Sequence, residues 1–295
     1  MVDNGPDVTL SDDDWFGFAI AAGDLTSNLL DDIAVGEPFY DAGGSLSNDG
    51  AVLVYYGDGD YTNGLQQGGS DALIISGANY PINNNMEERF GSSIAVGDFN
   101  KDATTNDWED LLIGAYYYSS LSGRAYIYLA QDNAAGGFSG TGEENDAVFE
   151  ESDAEWFGYS VAAGYFTSAS ETTSDVLIGA PGPPGNNGSA YVYLISGTNI
   201  DTTYDQRLLG SEFSGSGERL GHAVCAGDVN GSGFDNIIVG CPEFYDTGYA
   251  QDNDNAGRVL VDEYIPEFQE IIVPLGMIVA IFVLWRKKRF ARKND

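Results

Sequence analysis

The sequence predicts an all-β fold, a β-propeller of four-stranded antiparallel blades, on three observations. A four-part unit recurs four times in fixed order. Its apolar runs are short, alternate with polar residues, and stop at Gly, Asn and Asp clusters. The chain of 295 residues holds 39 Gly, 18 Tyr and 15 Phe, a mixture that suits pleated, half-buried strands and tight turns. Four-stranded repeats of this kind arrange as blades around an axis.

Each unit opens on a first strand: FGFAIAAGD (16–24), FGSSIAVGD (90–98), FGYSVAAGY (157–165) and LGHAVCAGD (220–228). The first Gly precedes the second by six residues in all four, and the units recur after 74, 67 and 63 residues. A polar turn leads into a second strand that ends on Gly, in DIAVGEP, DLLIGAY, DVLIGAP and NIIVGCP. Ala and Gly in these two strands suit the crowding near an axis, where larger side chains would clash. A third strand opens on Gly: GAVLVYYG, GRAYIYLA, GSAYVYLISG and GRVLVDEY. A less regular fourth segment precedes the next unit, as in DALIISGA, NDAVFEES and QRLLGSEF. The repeats thus span about 16–80, 90–152, 157–213 and 220–264, within a propeller domain of residues 1–265.

The last unit stops after its third strand, at Tyr264, while TLSDDDWFG near the N-terminus has the phase of FEESDAEWFG. Residues 7–10, with Val8 to Leu10 pairing against 258–263, are therefore expected to act as the closing strand of a ring. The alternative is that further blades lie upstream of this chain.

The order FG…GD…VGAP resembles the FG-GAP repeat, the propeller unit of integrin alpha subunits and many microbial surface proteins. The resemblance covers about residues 7–264 and rests on several motifs in fixed order. It departs in number, since integrin-like heads close with seven blades and four are visible here. Unit two lacks the Pro of GAP (GAYYY), and unit four has Cys241 in place of its Ala.

Between the first and second strands lies an oxygen-rich turn. Ca²⁺ takes six to eight oxygen ligands, and alternating Asp, Asn and Ser in a Gly-assisted turn can supply them. The FG-GAP resemblance implies a loop of the form D-x-[DN]-x-[DN]-G-x-x-D. Unit four offers Asp228, Asn230, Ser232 and Asn236; unit two offers Asp98, Asn100 and Asp102, with four extra residues before Asp110. Unit one keeps Asp24, Asn28 and Asp32, with Thr26 between, whereas unit three has Tyr165 in first position and Ala169 further on. The pattern ranks units two and four first for calcium, then one, with three last. The competing reading is an Asx-rich turn with no metal, which Asp, Asn and Gly favour unaided.

Charge narrows the partners. Twelve basic residues face 46 acidic ones, and six of the twelve lie in RKKRFARK at 286–293. Residues 1 to 285 therefore carry a net charge of about −39, which excludes nucleic acid as a partner and favours cations, basic partners or a saline medium. A histidine-based triad is disfavoured because His222 is the single histidine and sits at a strand-face position shared with Phe18, Ser92 and Tyr159. No Gly-rich phosphate loop joins a strand to a helix. The two cysteines, Cys225 and Cys241, are expected on one face of a hairpin, as thiols and not as a disulfide.

The C-terminal segment 266–295 has three parts: Pro266-Glu267-Phe268, an uncharged run Ile271 to Trp285, and the basic tail. Fifteen helical residues rise about 22 Å, so Phe268 and a snorkelling Arg286 would have to help the run span a bilayer as a transmembrane helix. The basic tail places the C-terminus in the cytoplasm and the propeller outside. Motif, run and tail together resemble the PEF-CTERM class of archaeal sorting signals, which implies processing by an archaeosortase-type enzyme and transfer to a lipid anchor. MVDNGPDVTLSDDD has no signal-peptide character, so either the sequence begins downstream of the true start or it is a mature or partial product.

The function expected from all this is that of a calcium-stabilised adhesion or ligand-binding propeller at the cell surface, with a protein or glycan ligand and no enzymatic activity. A structural envelope component, or the accessory propeller of a secreted hydrolase, remains as an alternative.

Overall fold

The computed structural model describes residues 14–26, 29–41, 48–57, 72–76, 87–100, 108–130, 138, 146–167, 173–197, 200–212, 217–243 and 257–262. These form four antiparallel sheets in chain order. The first holds β1 (Ile20–Gly23), β2 (Asp32–Glu37), β3 (Ala51–Tyr55) and β4 (Ala72–Ser76). The second holds β5 (Ser93–Gly97), β6 (Asp110–Ala115), β7 (Arg124–Tyr128) and β8 (Ala147–Phe149). In the third are β9 (Ser160–Gly164), β10 (Asp175–Ala180), β11 (Ser189–Tyr193) and β12 (Gln206–Leu209). The fourth has three strands, β13 (Ala223–Gly227), β14 (Asn236–Cys241) and β15 (Arg258–Asp262). The helical segments among the described residues are 3₁₀ turns at Tyr118–Ser120 and Gly210–Glu212. The expected closing strand at 7–10 and the C-terminal segment 266–295 lie outside the described residues. Among the described residues, no helix is long and apolar enough to cross a membrane.

The strands of the inner sheets are apolar on both faces because both faces are covered. All residues of β6, β7, β10 and β11 are buried, which is why their sequences run apolar without alternation. One face of the first sheet (Ala34, Val52, Val54) packs on Leu111, Ile113 and Tyr126 of the second. The opposite face of the second (Leu112, Ala125, Ile127) packs on Val176, Ile178 and Tyr191 of the third. Ala162, Leu177, Ala190 and Val192 then pack on Ile237, Val239 and Cys241 of the fourth. First strands of successive sheets lie side by side, β1 against β5, β5 against β9, β9 against β13.

Register corrects the expectation for the cysteines. Cys225 pairs with Ile238, so the odd offset to Cys241 places the two thiols on opposite faces. Cys241 is buried against the third sheet, Cys225 is exposed, and both are free.

The FG and GAP glycines form the joint between sheets. A Cβ on Gly36, Gly114 or Gly179 would collide with the carbonyl oxygen of Gly91, Gly158 or Gly221, respectively, in the next unit. Beside each joint the next unit enters as a parallel bridge: Gly50 with Phe90, Gly123 with Phe157, Gly188 with Leu220. Phe90 N–H donates to Asp49 O at 3.0 Å, Phe157 to Ser122 O at 3.0 Å, and Leu220 to Asn187 O at 2.8 Å. The residue before each pair is left-handed although it is large: Trp15 (φ 58°), Arg89 (55°), Trp156 (59°) and Arg219 (54°). That conformation costs about 1 kcal/mol or more per residue, and in the three later units the bridge beside it holds it in place.

An acid precedes this residue in every unit, as Asp14, Glu88, Glu155 and Glu218. Glu218 is fully buried and neither of its carboxylate oxygens has a hydrogen-bond partner. The same holds for Glu37, which stands where the later units carry Ala115, Ala180 and Cys241. Burial, with Asp14 adding, pushes the Glu37 carboxyl up to about 7. Burial also lifts Glu88 to about 7, against the pull of Arg124 and a 3.3 Å hydrogen bond from Tyr126 Oη.

Two outcomes follow from this packing. Gly114→Ala should destabilise the protein by about 2–3 kcal/mol, because neither Gly158 nor the strand can yield the space; a denaturation midpoint within error of the parent would contradict the joint. For Glu37, a raised folded pKa means that the folded state holds the proton more tightly than the unfolded chain. Stability is therefore lost as pH rises from about 4.5 to about 7. Glu37→Gln should flatten that slope and stabilise the protein by roughly 1–2 kcal/mol at neutral pH, measured by denaturant unfolding across the window.

Candidate metal centre

Each oxygen-rich turn is built on a brace. The acid that opens the second strand turns back and accepts two backbone amides from the same sheet. Asp32 takes Leu25 N–H at 2.9 Å and Gly57 N–H at 2.7 Å. Asp110 takes Phe99 and Ala130 N–H, both at 2.8 Å. Asp175 takes Phe166 and Ile195 N–H, both at 2.9 Å. In unit four, the one acceptor of Asn236 takes Val229 N–H at 3.1 Å. Sequence reasoning placed Asp32, Asp110 and Asn236 at the end of calcium loops; in the structure they tie the turn to the strands. Asp175 does so in the unit with the poorest ligand set, so this position serves the fold whether or not a metal binds.

The remaining ligand candidates divide by unit. In unit two Asp98 and Asn100 are buried; Asp98 Oδ1 accepts Asn100 N–H at 3.2 Å, and Asn100 Oδ1 has no hydrogen-bond partner. In unit one Asp24 Oδ1 is likewise a buried atom without a hydrogen-bond partner, and burial raises the Asp24 carboxyl against the Thr26 amide. Asp102 and Asn28 lie outside the described residues. A buried acceptor without a donor suits a cation.

Unit four is the reverse case. Asp228 is exposed; its Oδ1 accepts Gly231 N–H at 2.7 Å and Ser232 N–H at 3.0 Å, and its Oδ2 accepts Gly233 N–H at 3.0 Å. These amides hold its carboxyl below the usual range. Asn230 Oδ1 accepts Ser232 N–H at 2.8 Å, and Ser232 Oγ accepts Phe234 N–H at 3.3 Å. This turn satisfies its own oxygens with its own amides. Among the described residues, no three His, Cys, Asp or Glu side chains converge on one point, so a cation shell would need Asn and backbone oxygens beside the acids.

Two features escaped the sequence reading. In units two and four the residue before the brace couples its turn to the preceding sheet: Asp24 N–H donates to Glu109 Oε2 at 2.9 Å, and Glu109 N–H to Asp24 O at 2.8 Å. Tyr165 and Asp235 repeat the exchange at 2.9 and 2.8 Å. The second is a row of rings and guanidinium groups crossing all four sheets beside the FG turns. Trp15 lies 4.5 Å from Phe39, and the Arg89 guanidinium lies 4.8 Å over Phe39 and 4.4 Å over Tyr117. Arg89 also donates to Tyr116 Oη, and the Tyr116 ring sits 5.7 Å from Trp156. Trp156 stacks on Tyr159 at 5.7 Å and carries the Arg219 guanidinium at 5.4 Å. His222 closes the row 4.9 Å from Tyr159, its pKa lowered by burial and by Arg219. The recurring tetrads DWFG, ERFG, EWFG and ERLG carried the signal.

No family model matches the chain. It is similar to integrin alpha-5 of Xenopus laevis, 34% identical over 111 residues, 37% of this chain and 10% of the relative. Integrin alpha-PS5 of Drosophila melanogaster is 28% identical over 181 residues, 59% of this chain and 17% of the relative. Integrin alpha pat-2 of Caenorhabditis briggsae is 27% identical over 251 residues, 78% of this chain and 18% of the relative. The chain thus spans less than a fifth of the length of these curated relatives. The alignments and the four equivalent sheets, each opened by an FG or LG turn, together support an FG-GAP, integrin alpha-like fold.

Proposed function

We propose that this chain is a cell-surface adhesion or ligand-binding β-propeller, stabilised by calcium and tethered to the membrane at its C-terminus. The observation that carries the reading is the row from Trp15 to His222, an amphipathic strip laid across four sheets. Rings and guanidinium groups on rigid turns give contact area at small entropic cost, which suits a protein or glycan ligand. The likeness to integrin alpha chains supports adhesion over catalysis.

Calcium belongs to the turns of units two and one. Asp98 and Asn100, with Asp102 beyond them, would hold it in unit two; Asp24, with Asn28, would hold it in unit one. When bound, the cation would supply the positive charge that Asp24 Oδ1 and Asn100 Oδ1 lack. The Asp228 turn has already used its carboxylate on amides. At the tail, the apolar run Ile271 to Trp285 and the basic residues after it support a membrane anchor with the propeller outside. Pro266-Glu267-Phe268 supports processing by an archaeosortase-type enzyme.

Chelation should lower the melting temperature, and Asp98→Ala should remove most of that response while Asp228→Ala leaves it intact. Affinity in the range of about 10⁻⁴ to 10⁻³ M, usual for extracellular modules, would give about 2.7 kcal/mol per site at a hundredfold excess. Calorimetry that is identical with chelator and with calcium at that hundredfold excess, about 10–100 mM, would refute bound metal. Protease added to intact cells should remove the propeller and, with it, attachment to immobilised protein or glycan. A protected propeller, or attachment that survives its removal, would overturn surface adhesion; alanines at Pro266-Glu267-Phe268 should leave a larger, unprocessed product.

A further inference from the structure

Three sheets each present a face to a successor, and the fourth presents the same face to solvent. On the third sheet that face is Ala162, Leu177, Ala190 and Val192, all buried. The equivalent residues of the fourth are Cys225, Ile238, Val259 and Val261, and Val259 and Val261 are 65% and 52% exposed. Gly227 and Gly240 stand where Gly164 and Gly179 are pressed against the following sheet. A Cβ on Gly227 would meet nothing within 4 Å, one on Gly240 nothing nearer than 3.5 Å, and neither residue has a positive φ. Neither the backbone nor any present neighbour requires glycine there.

Beside them opens a cavity of about 470 Å³ lined by His222, Gly240, Cys241, Pro242, Gly257 and Val259 among others. Gly240 and Gly257 correspond to Gly36 and Gly50, to Gly114 and Gly123, and to Gly179 and Gly188. Each of those three pairs receives the Phe–Gly or Leu–Gly of the next unit. The cavity is an FG socket without its plug.

The plug is at the other end of the chain. Phe16 is 39% exposed, whereas its equivalents Phe90, Phe157 and Leu220 are fully buried. Ile20, on the same face, is 66% exposed, and Gly17 has nothing within 4 Å, unlike Gly91, Gly158 and Gly221. One molecule thus displays the Phe–Gly plug and the glycine socket of a joint that it makes three times internally, while Val35, Ala51, Leu53 and Tyr55 on the plug face of the first sheet are buried.

We propose that two copies of this chain associate head to tail, Phe16–Gly17 of each filling the socket at Gly240 and Gly257 of the other. The contact continues an interface already present three times, with apolar residues at most equivalent positions and Glu37 where the later units carry Ala115, Ala180 and Cys241. Head-to-tail contacts either close into a ring or run on as a filament. Four sheets from each copy make eight, at the upper end of the usual blade number of closed propellers. Association brings two strongly acidic chains together, so it strengthens as added salt screens them.

Sedimentation equilibrium of the full chain in density-matched detergent tests this. At about 50 µM chain, a concentration that detects micromolar affinity, and about 0.5 M salt, the mass should be that of two copies. Phe16→Asp and Val259→Arg alter exposed positions and should each give single copies with an unchanged circular dichroism spectrum. Mixing the two variants should restore pairing at reduced affinity, since one intact plug meets one intact socket. A single-copy parent chain under these conditions, pairing that survives both substitutions, or no pairing in the mixture would each overturn the proposal.

Discussion

Everything else in this structure depends on how closely the backbone of one sheet approaches the next. The carbonyl oxygen of an FG glycine rests on the α-carbon of the preceding GAP glycine, where a methyl group cannot fit. That contact sets the distance between sheets, and the distance decides which residues can fill the space. Near the joint small residues, Gly, Ala and Ser, predominate; further out, Tyr126, Tyr191 and Phe149 are fully buried. The left-handed Trp or Arg before each pair belongs to the same constraint. The chain must reverse sharply to present its Phe–Gly, and the reversal places the preceding side chain in the aromatic row.

Acids in this protein do several separate jobs. Asp110 and Asp175 are structural, each spending both oxygens on backbone amides. Asp24 retains an acceptor that no donor reaches, and in the next turn the neutral amide of Asn100 does the same; both suit a cation. Glu37 and Glu218 are buried without a hydrogen-bond partner and set the fold against its own charge at neutral pH. Surface acids matter chiefly through their sum, which screening by salt relieves.

Much of the architecture was legible because the repeat states it four times. DLLIGA and DVLIGA are strands of the expected extent, and even the irregular AVF and QRLL segments form the expected fourth strands. The turns were legible only in part, since an Asp that binds two amides and an Asp that binds calcium carry the same letter. Asp228 and Asp98 look alike in sequence; Gly231 and Gly233 let the fourth turn curl its amides onto the Asp228 carboxylate, whereas Asp98 is buried with the Asn100 amide on its Oδ1. The cysteines failed on parity, because a face assignment across a turn depends on a register that sequence does not display. The aromatic row was hidden because its members come from different parts of the unit, some before the FG turn and some after the GAP glycine.

The equivalence of the three internal joints bears on how such a chain can change over generations. Gly36 and Gly50 accept Phe90–Gly91 by the same contacts with which Gly114 and Gly123 accept Phe157–Gly158. Excising one unit would therefore bring a glycine pair against a Phe–Gly it already fits, and duplicating one would insert a joint of known shape. Growth or loss by whole units leaves no interface to be reinvented, whereas a gain or loss of a few residues inside a strand would spoil two at once.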